Sequence, residues 1–321
     1  MLALRAFLAS AANTFCLQDE ILFDFHCRPD DPLVESYISL WSVSFGALPT
    51  GNVSHKHAAW DRPGIVAVKD ELMTTRADPR QKAVLLAAMA PHSTNWVSAL
   101  LIASCGLRMD DKSVRVAVAL RLGLGVCVPH LCFCEEAVDA WCWHAFVCKH
   151  DSGRTQRHHA LNDIVARLFA SAGIPVSKEP SWVYRDSIKR PDGITLVPWQ
   201  SGRVVAWDVT FATTLADFYL PASSALAASA AEAAATKEKA KYVDMPASFS
   251  FQPIAVEKLG PINESAVDFL CELGRRISVK TNDERQTAFL FQRLSVTVRR
   301  FNAVILHDSF FTCSDLWPSI D

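Results

Sequence analysis

Five of the chain's ten cysteines fall between Cys127 and Cys148, in a stretch dense in Cys, His and Trp with little hydrophobic periodicity. Its internal spacing is the strongest constraint on what this chain can fold into. Cys132-x-Cys134 is followed after nine residues by His144, and after three more by Cys148. Two close thiolates, a loop, and a His and Cys one helical turn apart is how a chain wraps a tetrahedral zinc ion, whose ligands must converge to within about 2.3 Å of the metal. The one-residue gap is tighter than the usual two to four, and Cys127, His130 and Cys142 are alternative ligands. The competing reading is a set of buried apolar thiols. Four protein ligands leave no open coordination position, so the expected zinc is structural.

The chain around this stretch is core-rich. Of 321 residues, 50% are apolar and 21% charged, which excludes a disordered or collagenous chain and suits two modest domains or one elaborated one. A secreted disulfide scaffold would be small and spread its cysteines throughout, so the clustered thiols point to a reducing, intracellular setting, nuclear or cytoplasmic. The opening MLALRAFLASAANTFC could imitate a signal or transit peptide, but an ordinary helix is expected there. Arg115 and Arg121 interrupt the best apolar run before it reaches the ~18 residues of a spanning helix, so no membrane is expected. The formal net charge of −2 offers no bulk attraction to nucleic acid, and any such binding must come from local patches.

Three regions are expected: residues 1–125, acidic at first and mostly helical; the knuckle at 126–150; and an α/β region at 151–321. Val114, Val116, Val118 and Leu120 alternate and predict a short strand. Leu161, Ile164, Val165, Leu168 and Phe169 form the apolar stripe of a helix over 155–172, ended by Gly173. Strands are predicted over 193–197 and 203–210, joined as a hairpin, and over 248–256. Helices are predicted over 223–242, 264–277 and from 282, the last with a Thr281/Glu284 capping box.

The hairpin carries two aspartates. With Trp199 opposite Arg203, Asp208 faces Ile194, and Asp192 lies one diagonal step away on the same face, about 7–8 Å off at Cα. A one-residue slip would separate them. Two carboxylates in an apolar hairpin favour a divalent cation such as Mg²⁺, which can activate water for phosphodiester attack. The bland alternative is a pair of strand-end aspartates making turn hydrogen bonds. Lys237 and Lys241 share a helix face and could reach toward the hairpin or simply be solvated. Two basic stretches stand out: eight Lys/Arg between Lys149 and Arg190 against four acids, and seven between Arg275 and Arg300 against two. Stripes of this kind bind phosphate backbones.

Together these motifs resemble the C-terminal region of non-LTR retrotransposon polyproteins that carry a restriction-like endonuclease after the reverse transcriptase. The knuckle resembles Cys132, Cys134, His144 and Cys148. Arg157-His158 looks like the family's basic-His motif. Lys178-Glu179-Pro180, Arg190-Pro191-Asp192 and Trp207-Asp208-Val209-Thr210 look like its nuclease strands, and Lys237 to Tyr242 is similar to the helix that keeps a displaced lysine. Ala59 to Pro63, Gly106 to Asp110 and Arg115 to Gly123 look like the stretch between polymerase and knuckle, so the resemblance covers roughly residues 55–312.

The resemblance implies an α/β restriction-endonuclease-like core behind a zinc knuckle, acting on DNA beside a reverse transcriptase, with element RNA as a further partner. Asp192 and Asp208 would hold Mg²⁺, Lys241 (or Lys237) would position water or phosphate, and Glu179 would add a carboxylate. Arg154, Arg157, His158, Lys189 and Arg190 would meet the phosphate backbone. Thr210 stands where a D/E-x-K motif has its lysine, so that lysine must come from the helix. Glu135 and Trp143 replace small knuckle residues, and no aromatic-x-Asp-Asp polymerase signature is present. The chain reads as a detached C-terminal piece. The rival readings are a non-catalytic nucleic-acid-binding module and a structural scaffold.

Overall fold

The structure, a computed structural model, describes residues 32–50, 57–100, 102–150, 153–183 and 189–310. The helix expected at the N-terminus, Cys16, Cys27 and Cys313 lie outside the described residues. Met1–Ala77 and Asp78–Asp321 form two compact units. In the first, α1 (Pro32–Phe45) and α2 (His57–Thr75) carry a small aromatic core. Trp41 packs edge-on against Trp60 and its indole N–H donates to the Trp60 carbonyl.

The second unit opens with α3 (Pro79–Met89), capped by the Asp78 carboxylate, and α4 (Asp111–Leu122). The strand predicted from alternation at 114–120 is instead α4. Asp110 accepts from the Ser113 N–H at its start, and Gly123 ends it in a left-handed turn. These two caps outweigh the β-preference of valine. Val116, Ala119 and Leu120, at helical spacing, go inside while Val118 stays exposed. No helix of the described residues is long and apolar enough to cross a membrane.

The metal-ligand stretch forms a minimal hairpin, β1 (His130–Leu131) with β2 (Ala137–Val138), followed by the one-turn α5 (Trp143–Val147). It borrows its core. Val126, Val138, Ala145 and Phe146 pack on Ile305 and Leu306 near the end of α10 (Gln286–His307) and on Phe310.

The remaining elements run α6 (Arg154–Ser171), β3 (Val176–Lys178), β4 (Gly193–Thr195), β5 (Val204–Ala212), α7 (Leu220–Ser223), α8 (Ser229–Lys241), β6 (Phe249–Glu257) and α9 (Glu264–Thr281), ahead of α10. The sheet order is β3-β4-β5-β6, with the first two pairings antiparallel and β5–β6 parallel. Strand alternation sorts β5 between two layers. Val205, Trp207 and Val209 enter the main core with Leu161, Val165 and Phe169 of α6, Leu270 and Leu273 of α9, and Phe291 and Leu294 of α10. On the other face Ala212 and, from β6, Ala255 meet Ala230, Ala231, Ala234 and Ala235 of α8. Methyl-sized side chains on both surfaces let this helix lie close to the sheet.

Two local expectations fail for tertiary reasons. The single alanine-rich helix predicted over 223–242 is split, with Ala228 in a left-handed conformation before α8. The buried Glu257 carboxylate at the end of β6 accepts from the Ala231 N–H at 3.2 Å and from the Thr214 hydroxyl at 2.6 Å. That restarts the helix from a distant residue. The Thr281/Glu284 capping box does not form, because Thr281 donates back to the Ile277 carbonyl and Asp283 accepts from the Arg285 N–H.

Candidate metal and carboxylate sites

The knuckle cysteines sit on a tight turn. Cys132 N–H donates to the Glu136 carbonyl and Glu135 N–H to the Cys132 carbonyl, with Glu135 at a left-handed φ of 69°. This turn lets Cys132 and Cys134, one residue apart, present thiols to one point. Cys148 N–H donates to the His144 carbonyl across one helical turn, which brings the other two ligands alongside. Cys134 Sγ lies 3.0 Å from His144 Nε2, and Cys148 Sγ lies 3.8 Å from both Cys132 Sγ and Cys134 Sγ. All four ligand atoms lie within 4.8 Å of one another, so the cluster could bind a metal ion. The sulfur–sulfur spacing is roughly the edge of a tetrahedron with 2.3 Å metal–sulfur bonds. A Glu136 N–H hydrogen bond holds the Cys134 thiol below its usual pKa, while burial pushes Cys148 up to about 11. The alternative ligands do not converge. Cys127 and Cys142 are buried thiols of the adjoining core, and His130 stacks on Phe310 while bonding Ser309 Oγ.

The second cluster forms where β4 meets β5. The pairs are Gly193↔Trp207 and Ile194↔Ala206, so the expected partnership of Ile194 with Asp208 is displaced by two residues. Continuing the observed register puts Asp192 directly opposite Asp208. A two-residue displacement keeps the same face, and so the site is tightened rather than lost. The glycine at 193 is what allows this. The Trp207 indole lies across the space where a side chain would stand, and any Cβ there would clash with its ring carbons. The indole N–H donates to Asn162 Oδ1 (2.9 Å), and Asn162 Nδ2 donates to the Asp192 carbonyl (3.2 Å). The buried Asn162 thereby ties α6 to both strands.

Around the aspartates the contacts are dense. Asp192 Oδ2 accepts from Val209 N–H (2.6 Å) and from His158 Nε2 (3.0 Å). Asp208 Oδ2 accepts from Lys241 Nζ (3.0 Å) and Tyr242 Oη (2.9 Å), and carboxylate oxygens of Asp192 and Asp208 lie within 4.8 Å of each other. Burial, then the neighbouring Asp192 charge, pushes Asp208 up to about 7. Burial works against ionised Asp192 too, but the hydrogen bonds from His158, Asp208 and Val209 prevail and hold it below the usual range. The Asp192 hydrogen bond raises His158. The two acids are thus driven apart, Asp192 toward its ionised form and Asp208 toward its protonated form, as adjoining carboxylates are. His158, Asp192 and Asp208 offer ligand atoms within 4.8 Å of one another and could bind a metal ion.

Not every expected residue arrives. Lys241 reaches Asp208, while Lys237, one turn earlier, is exposed without such a contact. Glu179 does not join the cluster. It lies one residue past β3, where the backbone turns left-handed, and its exposed carboxylate pairs with Arg190 at 3.7 Å. Arg157, expected on the phosphate track, is 1% exposed and lies over the Phe211 ring at 4.7 Å. Lys189 pairs with Asp244, and Arg154 is exposed at the start of α6. His158, expected to meet phosphate, is drawn onto Asp192 instead. Tyr242 and Asn162 were not singled out from the sequence, although Tyr242 directly follows Lys241 in the quoted motif. No protein-family model matches the sequence, and no match to it is found among the curated proteins.

Proposed function

We propose that this chain is a metal-dependent DNA endonuclease with a restriction-endonuclease-like core, of the kind that follows the reverse transcriptase in non-LTR retrotransposon polyproteins. It would nick target DNA for element insertion. One observation carries the reading: Asp192 and Asp208, with fifteen residues between them in sequence, converge opposite each other with the Lys241 ammonium 3.0 Å from Asp208. The sheet, with helices on both faces, is compatible with such a core.

Asp192 and Asp208 are the groups that would hold a Mg²⁺ ion, with His158 bonded to Asp192 beside them. The donor set fits, since two buried carboxylates driven apart in protonation are relieved by a divalent charge. Such an ion supplies activation of water and polarisation of the phosphate. The chain's own residues do the rest. His158 and the Val209 N–H keep Asp192 ionised and aimed, and Tyr242 fixes Asp208. The Lys241 ammonium, held charged by Asp208 and Glu238, stands ready to neutralise charge building on a phosphate. The Cys132, Cys134, His144 and Cys148 cluster is assigned a structural zinc, which folds a stretch with few apolar contacts of its own.

Plasmid nicking with Mg²⁺ tests the assignment. Wild type should nick, Asp208→Ala and Lys241→Ala should lose at least about a hundredfold, and Lys237→Ala should be unaffected. Equal nicking by wild type and Asp208→Ala removes the site. Salt-sensitive DNA binding without any nicking would instead favour the non-catalytic module.

A further inference from the structure

A cleft of about 680 Å³ opens between α6 and α10, rimmed by residues 103–106. From α6 it takes Asp163, Ile164 and Arg167, and from α10 Arg293, Arg300 and Phe301. At 3.6 residues per turn, the α6 positions lie on the side of that helix turned away from His158. None of the carboxylate-site residues lines the cleft, so it is a separate place on the same unit.

Its charge is distinctive. In the basic stretch from 275 to 300, Arg275 and Arg276 pair with Glu272, and Arg285 pairs with Asp283. Arg299 is buried, donating to the Ser93 and Leu259 carbonyls. Arg293 and Arg300 turn into the cleft, and among the described residues no carboxylate forms an ion pair with them or with Arg167. The one acid in the wall, Asp163, pairs with Lys178 and is also felt by the Arg167 charge one turn along α6. Arg300 also donates to the Arg108 carbonyl, which steadies its guanidinium without using its charge. Three guanidinium groups thus line an open cleft that also presents the apolar Ile164 and Phe301 beside the hydroxyls of Ser104 and Thr297. Guanidinium groups suit phosphate oxygens and an aromatic wall suits a base face. A duplex keeps its base faces stacked inside, whereas a single strand offers both phosphates and bases.

We propose that this cleft is a second nucleic-acid site, which takes a single strand by its phosphates and at least one base. It holds that strand apart from the one presented to Asp192 and Asp208. The experiment is fluorescence anisotropy of a short labelled single strand, as DNA and as RNA, with an unlabelled duplex as competitor, in buffer without added divalent ions, so that no cleavage occurs. Arg167→Ala/Arg293→Ala should weaken binding roughly tenfold. It should also flatten the salt dependence by about 1.4, each lost phosphate contact with a single strand contributing about 0.7. Arg275→Ala, which removes the same charge from a position paired with Glu272, should change neither quantity. Arg167→Gln, at an exposed position, repeats the test with half the slope change should the double variant fold poorly. Wild-type affinity and slope in both cleft variants, equal weakening by Arg275→Ala, or a duplex competing as well as a single strand would each overturn the proposal. The result is independent of nicking, since a chain with no nuclease activity can still bind through the cleft.

Discussion

Replacing Asp208 by Asn should stabilise the protein at neutral pH in the absence of divalent cations, although it removes a charged partner from Lys241. Burial and the Asp192 charge raise Asp208 from 3.8 to about 7. The folded protein therefore holds a proton that the unfolded chain releases above pH ~4. Stability changes with pH in proportion to the protons bound by the unfolded state less those bound by the folded state, so it must fall as pH rises through this window. At about 1.4 kcal/mol per tenfold change in proton affinity, the full displacement is worth roughly 4 kcal/mol at pH 7 and above. That is an upper figure, because the substituted amide keeps an acceptor oxygen but loses the ionic share of the bonds to Lys241 and Tyr242. Asp192 contributes with the opposite sign, being held below the usual range, but its stabilisation is lost only as pH falls below ~4 and is common to both proteins. Urea denaturation of wild type and Asp208→Asn between pH 4 and 8 reads the difference directly. The two should coincide near pH 4 and diverge by about 2–4 kcal/mol by pH 7, the variant being the more stable. Added Mg²⁺ should close the gap by stabilising wild type alone. A wild-type stability that stays level with the variant's, or rises above it, from pH 4 to 7 would refute the reasoning that Asp208 takes up a proton on folding.

Removing the zinc proposed for the Cys132, Cys134, His144 and Cys148 cluster should loosen the packing of residues 126–150 on the end of α10. Metal analysis should find one zinc per chain in wild type and none in Cys134→Ser, with a lowered thermal midpoint that added zinc does not restore. Gly193→Ala should destabilise by roughly 1–3 kcal/mol in denaturant, since the new methyl must displace the Trp207 indole from its bond with Asn162. An unchanged midpoint there would mean that β4 and β5 do not pair as described.

The sequence on its own was enough for what is encoded locally. The spacing of Cys132, Cys134, His144 and Cys148 named the four residues that converge, because a tight turn and one helical turn are both short-range geometry. The stripe from Leu161 to Phe169 and the position of Gly173 placed α6 nearly to the residue. Alternating apolar runs placed the cores of β4, β5 and β6. An even register sufficed to put Asp192 and Asp208 on one face, since a two-residue displacement leaves the facing unchanged where a one-residue slip would have separated them.

Tertiary structure decided the rest. The β4–β5 register depends on the Trp207 indole lying over Gly193 and on Asn162 bridging α6 to both strands, contacts between residues up to 45 positions apart. The break before α8 depends on Glu257, 26 residues beyond the N–H it caps. Charge is the clearest case. In sequence, Arg157, Arg190, Arg275 and Arg293 are equivalent basic residues. Folding buries the first against Phe211, pairs the second with Glu179 and the third with Glu272, and leaves the fourth facing an open cleft. A side chain's identity carries its charge, but only the positions of its neighbours decide whether that charge is neutralised, buried or offered to a ligand.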